Sequence, residues 1–330
     1  MSIRSLPKAE LHLHLEGAAP PAFIAGLARE KNLDISGIFD RDGHYAYRDF
    51  TDFLAVYEAA CTTLTSPQDF YRLTRAVLEE SAHHGVIYSE TFLSPDFCGG
   101  GDLVAWREYL AAIRQAADEA RADSGIVLRG VVTCIRHFGG KQARQIARCA
   151  AETADDWLVG FGMGGDEGQN AAADFAWAFD AAREAGLRLT SHAGEWGGPD
   201  SVRETLDHLR VERLGHGVRA CEDADLMRRL ADQQIMLEVC PGSNVALGLY
   251  PDWPSHPIDR LRGAGVPVSV STDDPPFFHT DMTTEFTRLA RDRGWEETDF
   301  AEITRASIEA AFCTPDDKQA LLRRLEPADD

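Results

Sequence analysis

Along most of the chain, short apolar runs alternate with longer stretches of helical spacing. The runs at 9–15, 86–92, 126–135, 158–163, 187–192, 213–216, 235–240 and 266–271 read as buried strands. Several are almost continuously apolar, as parallel strands covered on both faces are. Between them, 102–123, 141–152, 170–185, 199–209 and 222–233 read as helices. Eight strands with intervening helices predict an α/β fold, the (β/α)8 TIM barrel. An open doubly wound sheet is the alternative, but no GxGxxG follows the first strand. The segment 20–85 holds more helix than one connection needs, which predicts extra helices over the barrel mouth. Residues from 281 onward read as further helices, ending in a polar tail at 326–330. No Pro/Gly/Ser-rich linker divides the chain, so 1–330 is expected to form a single domain.

Composition narrows the partners. With 44% hydrophobic and 26% charged residues, disorder, collagen-like repeats and coiled coil are excluded as the main architecture. Acidic residues outnumber basic ones by 54 to 33, a net charge of −21. That surface repels phosphate backbones and anionic lipid, so neither nucleic acid nor membrane is an expected partner. A small nucleic-acid-derived substrate stays allowed, because one pocket need not share the sign of the surface. The start MSIRSLPKAELHLHLEG has no apolar run after a basic segment, and no stretch approaches the roughly 18 apolar residues of a membrane span. Seven cysteines without a CxxC pair predict reduced thiols and a cytoplasmic location. The sequence carries no signal for oligomeric state.

Chemistry-bearing residues gather at the C-terminal ends of the expected strands, the face where such barrels build their sites. The first strand ends in His12-Leu13-His14, the fifth in Ser191-His192-Ala193-Gly194-Glu195, the sixth in Gly215-His216-Gly217 and the eighth in Ser271-Thr272-Asp273-Asp274. His12 and His14, two positions apart, point the same way and suit a divalent metal, zinc above all. His192 supplies a third nitrogen and Asp273 a carboxylate. Glu195 stands just past its strand, placed to carry a proton. Asp274 points away from Asp273, toward a substrate. His216 is either a further ligand or the group that holds the attacking water. Each fragment also has an ordinary structural explanation: paired core histidines, a carboxylate at a helix start, a turn at Asp-Asp-Pro-Pro. HExxH, GxSxG, a P-loop and PCxxC are all absent.

The fragments LPKAELHLHLEG, GGDE (Gly164 to Glu167), SHAGE, RLGHG, CPGSN (Cys240 to Asn244) and STDDP occur in the order of the adenosine deaminase family, which this chain resembles from Leu6 to Pro275. The resemblance implies a hydrolase of the amidohydrolase type with one zinc ion per chain, removing the purine 6-amino group as ammonia. It implies His12, His14, His192 and Asp273 as zinc ligands. It makes Glu195 the acid that protonates the ring nitrogen beside the reacting carbon, and His216 the residue that orients and deprotonates the water. Asp274 contacts the ring and steers the nucleophile, the Gly165 amide contacts the purine, and His14 and Glu16 complete the substrate contacts.

Three positions bear on specificity. The first motif ends in Glu16-Gly17, where nucleoside deaminases usually carry Asp-Gly and enzymes acting on free adenine or other adenine-containing compounds more usually Glu-Gly. Gly162 stands where many adenosine deaminases carry Asp. Against this, RLGHG has the glycine typical of nucleoside deaminases. The balance favours adenosine and 2′-deoxyadenosine as substrates, giving inosine and ammonia in purine salvage. The alternative is free adenine, an N6-modified adenine or another adenosine derivative. Outside this chemistry stand a silent purine-binding relative and a two-metal phosphoesterase or amidase. The filled acid-base positions speak against the first, and the lack of a lysine at any strand end against the second.

Overall fold

Eight parallel strands pair in chain order: β1 (Lys8–His14), β2 (Val86–Leu93), β3 (Val127–Ile135), β4 (Leu158–Gly164), β5 (Arg188–Ala193), β6 (Arg213–His216), β7 (Met236–Val239) and β8 (Val268–Val270). The computed structural model describes residues 2–326, so 327–330 of the expected polar tail lie outside the described residues. The strands are buried along nearly their whole length, which explains why they read as apolar runs rather than alternating ones. The result is the expected (β/α)8 TIM barrel. Its closing seam runs from β8 to β1: the Asp273 N–H donates to the His12 carbonyl at 3.1 Å, and the Asp273 carbonyl accepts from the His14 N–H at 3.0 Å.

Strand β1 contains a bulge next to that seam. The β1–β2 register shifts between Glu10 and Leu13, and the N–H groups of both Leu11 and His12 donate to Ser271 Oγ at 3.2 Å. Below the bulge Ala9 and Leu11 pack with Tyr88 and Val127; above it Leu13 and Leu15 join the main core. One extra residue thus re-aims the strand and turns His12 and His14 together into the barrel.

Of the inserted helices, α1 (Pro21–Lys31) buries Ile24 and Leu27 in the core, while α2 (Phe50–Cys61) lies across the mouth. Helix α3 (Pro67–His83) is the one that returns to β2. The usual outer helices follow as α4 (Leu103–Ser124), α5 (Gly139–Ala151), α6 (Ala176–Glu184), α7 (Pro199–Leu209), α8 (Ala224–Gln233), a short α9 (Pro241–Ala246) and α10 (Ile258–Gly263). The chain ends in α11 (Met282–Arg293), α12 (Glu297–Ala310) and α13 (Pro315–Arg323). The link between α12 and α13 plugs the opposite end of the barrel, where Phe312 N–H donates to Glu90 at 2.5 Å and Arg213 donates to the Ala310 carbonyl at 3.2 Å. Among the described residues no helix is long and apolar enough to cross a membrane.

Candidate active site

At the mouth, His12, His14, His192 and Asp273 bring one ligand atom each to within 4.8 Å of one another. His192 Nε2 lies 3.0 Å from His12 Nε2 and 3.2 Å from His14 Nε2. Asp273 Oδ1 lies 3.4 Å from His12 Nε2 and 3.3 Å from His14 Nε2. The outer nitrogens are already engaged: His12 Nδ1 is 2.8 Å from Glu238 Oε2, and His192 Nδ1 is 2.8 Å from the Met163 carbonyl. A carbonyl only accepts, so Nδ1 of His192 carries the proton and its Nε2 points a lone pair inward. Burial works against charge on His12, but hydrogen bonds to Asp273 and Glu238 push it up to about 9, so the place draws positive charge. Three imidazole nitrogens and one carboxylate with outer-shell partners fit a divalent cation of zinc's type. Phe92 closes the floor, with its ring 4.7 Å from His12 and 4.8 Å from His14.

Asp273 is held in left-handed backbone, φ 68°, as is His216, φ 58°. Non-glycine residues pay roughly 1–3 kcal/mol for such conformations, and functional sites are where they persist. At Asp273 this backbone gives the two adjacent acids different surroundings. Its Oδ2 accepts from Ser243 Oγ at 2.7 Å, whereas the buried Asp274 Oδ1 has no hydrogen-bond partner and Asp274 lines the pocket. A Cβ on Gly17 would lie 1.6 Å from that oxygen, so any side chain there would displace Asp274.

Glu195 also lines the pocket and is 5% exposed. Burial, reinforced by the carboxylates of Asp273 and Glu167, raises it well above the ordinary glutamate value. It does not cap α7, whose N-cap is Gly198. His216 Nε2 sits 3.8 Å from both Glu195 Oε2 and Asp273 Oδ2, too far for direct hydrogen bonds but a fitting span for one bridging oxygen. Burial pushes His216 down to about 3, so it is neutral near pH 7. Gly165 lines the pocket with φ 94°, and a Cβ there would lie 2.8 Å from His137 Nδ1. Glu16 stands behind the wall, 3.5 Å from the Tyr57 hydroxyl, with Oε1 buried and unpartnered; burial pushes it up to about 7. The wall itself is Phe50, Phe53, Leu54 and Tyr57 of α2, Phe97 and Ile135. Trp196 does not line the pocket and instead packs on Phe50 at 4.8 Å.

Four supporting residues carried no assigned role in the sequence reading. Glu238 accepts from Thr190 at 2.9 Å and Arg213 at 2.7 Å, and Arg213 reaches on to Glu90 at 2.5 Å, so a buried ion network backs His12. Glu167, in the GGDE fragment, accepts from the N–H groups of Gly194, Glu195, Trp196 and Gly197 at 2.6–3.1 Å and from Ser201 Oγ at 2.5 Å. The small residues around Glu195 in AGEWGG are the signal for such a nest of amides.

Comparison with known proteins agrees on the family and corrects the substrate. The adenosine deaminase family model matches residues 7–328. The adenine deaminase of Rhizobium rhizogenes is 46% identical over 322 residues, 97% of this chain and 99% of its own. The crystal structure of adenine deaminase from Arthrobacter aurescens superposes with a TM-score of 0.89 at 31% identity, covering 97% of this chain and 98% of that one. An amidohydrolase from Burkholderia ambifaria, solved with bound Zn, gives 0.86 at 28% identity over 98% and 90%. Relatives at 43–46% identity being adenine deaminases overturns the expectation of adenosine and 2′-deoxyadenosine. The physical reason lies in RLGHG. A Cβ on Gly215 would lie 2.8 Å from His12 Cε1 and 3.1 Å from His192 Nδ1, so that glycine makes room for the ligand imidazoles and reports nothing about a sugar. The protein is a deaminase, and the chain belongs to the adenosine deaminase family of the amidohydrolase superfamily.

Proposed function

We propose that this protein hydrolyses free adenine to hypoxanthine and ammonia, using one zinc ion held by His12, His14, His192 and Asp273. The substrate rests on the adenine deaminases that match nearly the whole chain, and Glu16 supports it from the chemistry. Free adenine carries an N–H on its five-membered ring that a nucleoside lacks. The unpartnered Oε1 of Glu16, buried behind Tyr57 of the pocket wall, is an acceptor suited to that donor. A site built around such a donor rejects analogues without it, because the acceptor is then buried unpaired.

A cation held in this donor set would lower the pKa of water toward about 7 and so make hydroxide available near neutrality. The chain's own groups do the rest. Attack at the amino-bearing carbon breaks ring conjugation, so the neighbouring ring nitrogen must gain a proton as the new C–O bond forms. Glu195, kept protonated by its buried setting, donates that proton. His216 Nε2 holds the attacking oxygen in the span it shares with Glu195 and Asp273. Asp274 and the Gly165 amide fix the ring, and the aromatic side chains of α2 exclude bulk water. The proton given up by the attacking water passes to the amino group, the C–N bond breaks and ammonia leaves, while the proton of the new hydroxyl returns to Glu195 as the ring carbonyl forms.

Ammonia release from adenine, adenosine and 2′-deoxyadenosine tests this reading. The expected result is a kcat/KM for adenine about 100-fold or more above either nucleoside. Equal or greater efficiency on a nucleoside would overturn it.

A further inference from the structure

A line of hydrogen bonds of fixed polarity reaches His216 from outside the site. It begins at a group whose role is not in doubt: the backbone N–H of Ile258, which donates to His256 Nδ1 at 3.3 Å. His256 is 2% exposed, and burial pushes it down to about 3, so the neutral ring carries its single proton on Nε2. That N–H faces Asn244 at 3.2 Å, which makes the atom it meets the amide oxygen, Oδ1. The other amide atom, Nδ2, then donates to His216 Nδ1 at 3.3 Å. With Nδ1 accepting, the proton of His216 sits on Nε2, the nitrogen that faces Glu195 and Asp273. No step in this chain can be reversed without turning a backbone N–H into an acceptor.

We infer that Asn244 and His256 are positioning residues that lock His216 in its Nε2–H form, so that His216 donates a hydrogen bond to the attacking oxygen rather than accepting its proton. The same lock keeps His216 out of the metal's donor set, because Nε2 has no free lone pair. His216, His12, Cys240 and Asp273 do lie close enough to form a second donor cluster, and the lock selects the His14/His192 set instead. The inference deepens the proposed reaction and rests on it for the role given to the oxygen. The tautomer itself does not depend on which purine is the substrate.

The test is ¹⁵N NMR of zinc-loaded protein labelled in histidine, with the His216 signals assigned by their loss in a His216→Gln variant. Wild type should show His216 as the Nε2–H tautomer. Asn244→Asp, whose carboxylate accepts from Nδ1–H, should invert it and lower kcat by about 100-fold or more, with one zinc per chain retained and KM for adenine moved far less. His256→Gln, which loses the fixed donor, should give an intermediate kcat. An Nδ1–H tautomer in wild type overturns the inference by itself, even if no variant folds. So does an Asn244→Asp protein that inverts the tautomer and keeps wild-type kcat. Failure to deaminate adenine with the Nε2–H tautomer present would instead strike the proposed substrate.

Discussion

Glu167→Gln replaces one carboxylate oxygen at the centre of the loop that carries Glu195, and the structure fixes how the amide must sit. Placed at Oε2, its NH2 would face three N–H donors, those of Glu195, Trp196 and Gly197. Placed at Oε1, it faces only the Gly194 N–H and Ser201 Oγ, and the hydroxyl can turn to accept. The better arrangement therefore orphans one buried amide, at about 1–3 kcal/mol, and reduces three charge-assisted bonds to neutral ones, at about 1 kcal/mol each. Allowing for relaxation, a loss of about 4 kcal/mol is expected, a large share of the roughly 5–15 kcal/mol that keeps a protein folded. At about 2 °C per kcal/mol for a chain of this size, Tm should fall by about 8 °C. The loop should also shift Glu195, and a displacement of about 1 Å costs on the order of 100-fold in turnover. Denaturant melts and ammonia release under saturating adenine measure both. A variant within about 1 kcal/mol of wild type and with unchanged kcat would refute the claim that Glu167 holds this loop.

Other substitutions separate the remaining roles. Glu195→Gln should lower turnover by about 10³-fold or more with one metal per chain still bound; metal loss alongside inactivity would make Glu195 a ligand instead. Arg213→Met removes the cation that holds Glu238 against His12, and should weaken zinc binding by about 10–100-fold in chelator competition. Arg188→Met, at the same end of the barrel but paired with Glu212, should leave zinc affinity unchanged, and an equal loss in both would reduce Arg213 to general support. Glu285 is fully buried, bonded to Thr280 at 2.6 Å and the Gly242 N–H at 3.1 Å, and burial pushes it from 4.5 up to about 8. Between those values the folded protein keeps a proton that the unfolded chain releases. Its contribution to stability is therefore full below pH 4.5 and is lost as pH rises toward 8, at up to about 1.4 kcal/mol per unit. Glu285→Gln should flatten that decline, gaining Tm over wild type at pH 8 but not at pH 4.5; parallel Tm curves would contradict it.

The barrel and the four clustered side chains of the proposed metal site were legible because each depends on local pattern. Fully buried strands leave apolar runs, and His12, His14, His192, Asp273 and Asp274 all stand at the polar ends of those runs. What stayed hidden depends on distant partners. The bulge that aims His12 needs Ser271, some 260 residues away, and nothing within LHLHL announces it. Glu90, Arg213 and Glu238 lie inside strands, where a charged residue reads as a flaw in an apolar run until its counter-ion is found. His256 sits in an unremarkable loop and acquires meaning only through Asn244. The substrate was misjudged because the glycine of RLGHG, read as a mark of a nucleoside, is required by the close approach of His12 and His192.

Zinc titration of chelator-treated protein, with ammonia release from adenine followed at each addition, tests the central claim most directly. Activity should be absent from the stripped protein and rise linearly to a plateau at one equivalent per chain, and His12→Ala should show no such rise. Full turnover by metal-free protein, or a plateau reached only at two equivalents, would contradict a single cation held by His12, His14, His192 and Asp273.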